Sequence, residues 1–217
     1  MTGTRRPFIF VLAGVNGAGK SSVGGGLLIE YGLTWFNPDT YAKELVRRIG
    51  LDAESANAQA WQYGRDQLEN AIRQSQNFAL ETTLGAKSIP NLLIEAAATH
   101  DVIMIFCGLA TPELHLERVH FRVRHGGHDI PEAKIRERWI TSRLNLIRLL
   151  PSLQHLQVFD NSAPADADGN IPDPVLVLEV TNGRTQFPVA SDAHALANTP
   201  LWARPVVQAA LSMPVPG

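Results

Sequence analysis

The stretch that decides the fold is Phe8-Ile-Phe-Val-Leu-Ala13-Gly14-Val15-Asn16-Gly17-Ala18-Gly19-Lys20-Ser21-Ser22. Six apolar residues, Phe8 to Ala13, read as a buried strand. Gly14 to Ser21 then fits G-x-x-x-x-G-K-[ST], and a leucine-containing helical stretch follows. The spacing has a mechanical reason. Glycines at 14, 17 and 19 let the backbone turn tightly and aim successive N–H groups at phosphate oxygens. Lys20 adds a point charge near the β- and γ-phosphates, and Ser21 offers a hydroxyl to Mg²⁺. A chance glycine-rich turn would need neither the strand before it nor the helix after it. Gly14, Val15, Asn16, Gly17, Ala18, Gly19, Lys20, Ser21 and Ser22 are therefore read as an ATP-binding loop, with Ser21 on the metal side.

The rest of the composition narrows the class. The 217 residues suffice for one sizeable core, and a single domain over 1–217 is expected. A formal net charge of -2 gives no general pull toward nucleic acid or anionic membrane. Cys107, the one cysteine, lies in Val102-Ile-Met-Ile-Phe-Cys-Gly and reads as a buried strand residue rather than a reactive thiol. No stretch is apolar for long enough to cross a bilayer, and Arg5-Arg6 precede too short an apolar run for a secretory signal. These features lead us to expect a cytoplasmic protein.

Outward from the loop, helical and strand-like stretches alternate. The loop helix should run to about Tyr31, stopping at Gly32, although Gly24-Gly25-Gly26 inside it is costly unless packing demands it. Leu33 to Asn37 reads as a second strand, followed by helices from Tyr41 to Ile49 and from Ala53 to Gln76. Phe78 to Thr83 is a third strand, Pro90 to Thr99 a helix, and Asp101 to Leu109 a nearly all-apolar strand. Pro112 to Arg148 is helical, Gln157 to Asp160 strand-like, and 161–174 a loop by composition. Asp166-Ala-Asp168-Gly169-Asn170 faintly resembles a calcium loop, but Val177 stands where a bidentate Glu is needed, so that reading is rejected. Val175 to Val180 and Thr185 to Val189 form a hairpin around Asn182-Gly183, and the tail from Ala190 reads as one helix ending near Met213. The pattern predicts an α/β fold of the P-loop kinase type. A parallel sheet of about five strands is flanked by helices, with a core over 8–110 and 151–162, a helical arginine-bearing lid over 111–150, and a C-terminal hairpin and helix over 175–213.

Phosphoryl transfer requires a base for the acceptor hydroxyl and cations for the developing charge. Asp39 follows the second strand at the sheet's carboxyl edge and could take that proton; its alternative role is to cap the helix beginning at Tyr41. Glu81 ends the third strand on the same edge, beside Thr82 and Thr83. It could hold a substrate hydroxyl or order Mg²⁺ waters, or simply face solvent. Residues 115–148 carry eight Lys/Arg against four acids, and four of the seven histidines. This run is either a solvated helix face or a lid. Arg118, Arg122 and Arg124 lead into the glycine hinge His125-Gly-Gly-His128, which suits an arm closing on triphosphate. Arg122, Arg124 and His128 are accordingly placed on the ATP side, with capping the alternative for His128. On the second arm Arg136 and Arg143 share a face. His115, His120 and His125 show no metal-site pattern and read as surface groups.

Taken together, these residues resemble the zeta toxins and their small bacterial relatives among P-loop kinases. The resemblance spans about residues 8–162. It rests on the loop, on Asn37-Pro-Asp39-Thr-Tyr, on Leu80-Glu81-Thr-Thr-Leu-Gly85, on Glu117-Arg-Val-His-Phe-Arg-Val-Arg-His-Gly-Gly-His-Asp-Ile-Pro131, and on Phe159-Asp-Asn-Ser162. It implies an ATP-dependent kinase acting on a hydroxyl of a small molecule, for the family UDP-N-acetylglucosamine, with an antitoxin protein as partner. It implies Asp39 as general base, Lys20 and Ser21 at ATP–Mg²⁺, Glu81 and Thr83 on the substrate side with Asp39, and Arg118 on the transferred phosphate. The sequence departs from the family in three places. Gly85 stands near the position of a family arginine, His128 near a second lid arginine, and the family's extended C-terminal region is lacking.

A switch or transport ATPase would place an Asp at the end of a buried strand, whereas Val102 to Phe106 ends in Cys107-Gly108. A regulatory nucleotide-binding protein would not need Lys20, Ser21, Asp39, Glu81 and Arg118 together. Phe121 and Trp139 are too few aromatics for a nucleic-acid stacking platform.

Overall fold

A computed structural model describes residues 6–24, 34–127, 129–164 and 172–214. The expected helix end at Tyr31–Gly32, Gly25, Gly26, Leu33, His128 and the 166–170 segment lie outside the described residues. The sheet has six strands in the order β2-β1-β3-β4-β5-β6. They are β1 (Phe8–Ala13), β2 (Phe78–Thr82), β3 (Asp101–Gly108), β4 (His155–Asp160), β5 (Val175–Thr181) and β6 (Arg184–Phe187). The first four run parallel, and β5 and β6 continue the sheet antiparallel. The expected hairpin is thus an extension of the same sheet, which makes six strands where about five were expected. Of the second strand expected at 33–37, the described part gives a single bridge, Phe36 to Leu80, outside β2.

β1 lies between β2 and β3, so both of its edges are paired, and with an apolar cluster on each face its continuous apolar run is what such a strand requires. Ile9, Val11 and Ala13 face the main core, built with α3 (Ala53–Gln74), α4 (Ser88–Ala96), α6 (Glu132–Leu149) and α8 (Arg204–Leu211). Leu12 faces the other way, onto a smaller cluster with Ala18, Ile105 and Cys107. α1 opens at Lys20 and is described over 20–24; a Cβ on Gly24 would overlap Leu12, so at this position the glycine serves close packing.

α2 (Pro38–Ile49) begins three residues earlier than expected, with Asn37 as its cap: Asn37 Oδ1 accepts from Thr40 N at 3.1 Å. α5 (Pro112–Arg124) and α6 form a hairpin around Gly126, which has φ +86°. This hairpin is anchored at both ends. Leu116, Val119 and Ile135 pack on Val15 of the P-loop, and Leu146 and Leu149 belong to the main core. The lid expected over 111–150 therefore narrows to the tip around the hinge. The tail is two helices rather than one, α7 (Ala193–Asn198) and α8, because Pro200 disfavours helix at Thr199 and Pro205 starts a new one.

Candidate active site

The P-loop sits where β1 ends, at the carboxyl edge of the parallel strands. Its shape depends on contacts from distant elements. Gly14 has φ +137°, and a Cβ there would overlap the Cys107 carbonyl on β3; a Cβ on Gly19 (φ +79°) would overlap Asn161. Asn161, just beyond β4, donates from Nδ2 to Ala18 O at 2.9 Å. Asn16 is gripped twice. Its backbone carbonyl accepts from His115 Nδ1 on α5 at 2.8 Å, and its side-chain Oδ1 accepts from Arg138 Nη1 on α6 at 2.8 Å. Since a carbonyl only accepts, His115 carries a proton on Nδ1. Burial pushes its pKa down to about 4, and the nearby Lys20, Arg118 and Arg143 push the same way against the Asn16 hydrogen bond. His115, expected at the surface, is thus a buried support of the loop, while His120 and His125 are exposed. The same burial pushes the Cys107 thiol up to about 12, so it carries no thiolate.

Parallel register sets Glu81 of β2 opposite Leu12. Its carboxylate does not face solvent. Oε1 lies 3.2 Å from Lys20 Nζ, and Oε2 accepts from Ser21 Oγ at 3.3 Å and from Asn37 Nδ2 at 2.7 Å. Lys20 and Glu81 form a nearly buried pair, 8% and 11% exposed at the side chain, and such a pair is costly to break from one side only. A serine hydroxyl and a carboxylate oxygen side by side are hard donors suited to Mg²⁺, which takes few protein ligands when phosphates supply the rest. Among the described residues no group of three or more His, Cys, Asp or Glu converges as a metal cage. The fit is therefore to a metal brought with a triphosphate.

Two clefts flank the loop. One, on the Arg118 side, is lined by Gly17, Gly19, Ser22, Arg118, Asn161 and Asp173. Arg118 is half-buried, donates to Ala163 O at 3.4 Å, and is pushed below its ordinary pKa by that burial. The other, of about 240 Å³, is lined by Asn16, Asp39, Glu81, Thr83, Gly85 and Arg138, with Phe36 and Trp61 on its apolar side. Asp39 sits in the first turn of α2, and because Asn37 provides the cap, its carboxylate is not spent on capping. Its ion-pair partner is Arg122 of α5, Nη1 to Oδ2 at 3.8 Å. Among the described residues, the Nε and Nη2 groups of Arg122 are buried without a hydrogen-bond partner. Thr83 Oγ1 accepts from Gly85 N at 3.4 Å.

The structure thus brings together Lys20, Ser21, Glu81, Asp39, Thr83 and Arg122 around the loop, with Arg118 on its other flank. Arg124 is exposed at the end of α5 and lines neither cleft. Arg136 is bound to Glu113 and Glu132, and Arg143 stacks 3.6 Å over Trp139, so neither faces the site. Sequence reasoning quoted Asn37 and Asn161 inside motifs without giving them a role, set His115 at the surface, and gave Arg138 no role. Arg138 had a readable signal. It lies on the Ile135-Arg138-Ser142-Asn145 stripe, the buried side of α6, rather than on the Arg136–Arg143 face.

This arrangement of a P-loop on the central strand of a parallel sheet, with a helical hairpin bearing arginines over it, defines a P-loop kinase fold. More narrowly, the fold is zeta-toxin-like. A chain of the AvrRxo1-ORF1:-ORF2 complex crystallised with ATP superposes with a TM-score of 0.64 at 17% identity, over 98% of this chain and 66% of that one. A chain of the PezAT chromosomal toxin–antitoxin system of Streptococcus pneumoniae gives 0.55 at 17% identity, over 82% of this chain and 75% of that one. In the sulfate-bound AvrRxo1-ORF1:-ORF2 structure the chain spans 60% of its neighbour's length, with a TM-score of 0.62 at 18% identity. No protein-family model and no curated protein matches the sequence.

Proposed function

We propose that this protein is an ATP- and Mg²⁺-dependent phosphotransferase that moves the γ-phosphate to a hydroxyl of a small-molecule acceptor. The observation that carries the reading is the Asp39 carboxylate. It is free of capping duty and lies at the acceptor-side cleft beside the Lys20–Glu81–Ser21 group, with a cation at its flank. ATP occupies the P-loop, its phosphates against the backbone N–H groups of 14–21 and Lys20, and Arg118 lies on the same side. Ser21 and Glu81 would hold the metal ion, which when bound screens phosphate charge. Asp39 accepts the proton of the acceptor hydroxyl as that oxygen attacks the γ-phosphorus, the bond from phosphorus to the β–γ bridging oxygen breaks, and ADP leaves. Arg122, with donors to spare, stabilises the phosphoryl group in transit. Thr83 and Asp39 hold the acceptor, and Glu81 acts from the metal side of the same cleft.

The AvrRxo1 and PezAT structures are toxin–antitoxin or two-protein complexes by their descriptions, and the family resemblance points the same way. We therefore include UDP-N-acetylglucosamine as the first acceptor to try and an antitoxin protein as the partner class. Among the described residues no helix is long and apolar enough to cross a membrane. The test is incubation with Mg²⁺–ATP and a panel of nucleotide sugars, sugars and nucleosides, with products identified by mass. A phosphorylated acceptor formed by the wild type and lost in Asp39→Ala supports the reading. Acceptor-independent hydrolysis that is unchanged in Asp39→Ala refutes it.

A further inference from the structure

Arg138 is the cation of the acceptor-side cleft that the proposed reaction does not yet use. It is half-buried on α6, it lines the cleft, and among the described residues no carboxylate lies within ion-pair distance of it. The other basic groups on that wall are neutralised: Arg65 by Glu69 at 2.6 Å and Lys134 by Glu137 at 3.1 Å. Among the described residues the one hydrogen bond of Arg138 goes to a neutral oxygen, Asn16 Oδ1, which leaves the rest of its planar donor fork unassigned. Burial without an acid partner lowers its pKa, and the more distant charges of Asp39 and Glu137 only partly offset that cost. A desolvated guanidinium with spare donors at the wall of an open cleft is an incomplete arrangement, and an oxyanion completes it.

The wall opposite is built to admit this side chain. A Cβ on Gly85 would stand 2.7 Å from Arg138 Cγ, so residue 85 must lack a side chain for the arginine to lie where it does. The loop carrying Gly85 is in turn held by α6: Asn145 Nδ2 donates to Leu84 O at 2.6 Å and to Ala86 O at 3.2 Å. One face of one helix therefore fixes both the P-loop, through Asn16, and the loop after β2.

We infer that Arg138 is the acceptor-binding arginine of this cleft, that it holds a phosphate group carried by the acceptor, and that Gly85 is glycine to make room for it. The inference rests on the phosphotransferase reading, and it names an acceptor that already bears a phosphate before the reaction.

The test titrates inorganic pyrophosphate into protein saturated with the non-hydrolysable analogue AMP-PNP and Mg²⁺, so that the P-loop is filled. Arg138→Met should lose at least tenfold in pyrophosphate affinity, Arg138→Lys should retain part of it, and Gly85→Ala should lose several-fold by displacing the arginine. Asn145→Ala separates binding from scaffolding. It removes the hold of α6 on the 84–86 loop but keeps the guanidinium, and it should change pyrophosphate affinity by less than threefold. Equal losses in Asn145→Ala and Arg138→Met would reduce Arg138 to a support of the loop. Wild-type protein that binds AMP-PNP but takes no pyrophosphate, or takes malonate as tightly, overturns the inference and leaves the phosphotransferase reading standing. Failure to bind AMP-PNP overturns both.

Discussion

The two flanks of the P-loop are built in opposite ways. The nucleotide flank takes its strand, loop, lysine and serine from fifteen consecutive residues, 8–22, and only its supports from elsewhere. The acceptor flank draws on four separate segments. Asp39 comes from the first turn of α2, Glu81, Thr83 and Gly85 from the end of β2 and the loop beyond it, Arg122 from α5 and Arg138 from α6. Local construction gives a flank that is rigid whatever it binds. Distributed construction gives one whose chemistry changes with single substitutions far apart in the chain.

The largest effects should come from one residue on each flank. Lys20→Ala should abolish transfer. Asp39→Ala should cost on the order of 10²–10⁴-fold in turnover, the range for a lost general base, while still binding ATP in a calorimetric titration. An Asp39 variant with near-wild-type turnover would break the comparison, because the acceptor flank would then contain no base. Next in size is the nucleotide flank's dependence on outside support. Gly19→Ala places a Cβ on Asn161 in a left-handed conformation, and should destabilise the protein by about 1–3 kcal/mol and weaken ATP binding. Urea midpoints compared with nucleotide affinities will show whether the two losses travel together.

A smaller effect concerns pH. His115 is held neutral in the fold, its pKa near 4 against an ordinary 6.5, so between these values the unfolded chain binds a proton that the folded chain refuses. Stability should therefore rise from pH 4 to about 6.5 and level off above it. His115→Gln should flatten that slope, read as the change in urea midpoint between pH 4.5 and 7. A slope unchanged by the substitution would show that the loop does not depend on this buried imidazole. The smallest effect is on Cys107. Its thiol should resist maleimide at pH 7.5 in the folded protein and react at once in denaturant, as expected of a strand residue packed behind the loop.

The legibility of the site follows the same division. Glu81 was placed at this edge by counting along a real strand, whereas Asp39 was placed by a strand that the structure reduces to the Phe36–Leu80 bridge. Their surroundings were not readable. Asn37, two residues before Asp39, takes over the capping and one Glu81 oxygen, and nothing in a lone asparagine before a proline announces both roles. Arg136 and Arg143 were set on a common face by a correct period, but that face turned out to be the one spent on Glu113, Glu132 and Trp139. Which side of an amphipathic helix meets the cleft depends on what the helix packs against.

By itself the sequence determined the strand–loop–helix unit, the alternation that builds a parallel sheet, and the edge on which the carboxylates lie. Each of these depends on spacing within a few residues or on a simple period. Only the tertiary structure decided that the C-terminal hairpin extends the sheet, that the lid is anchored at both ends, that His115 is buried, and that Arg138 rather than Arg136 reaches the site. These outcomes are set by competition among surfaces for one core and among cations for a limited number of carboxylates. Such competition is settled only when all the elements are in place at once.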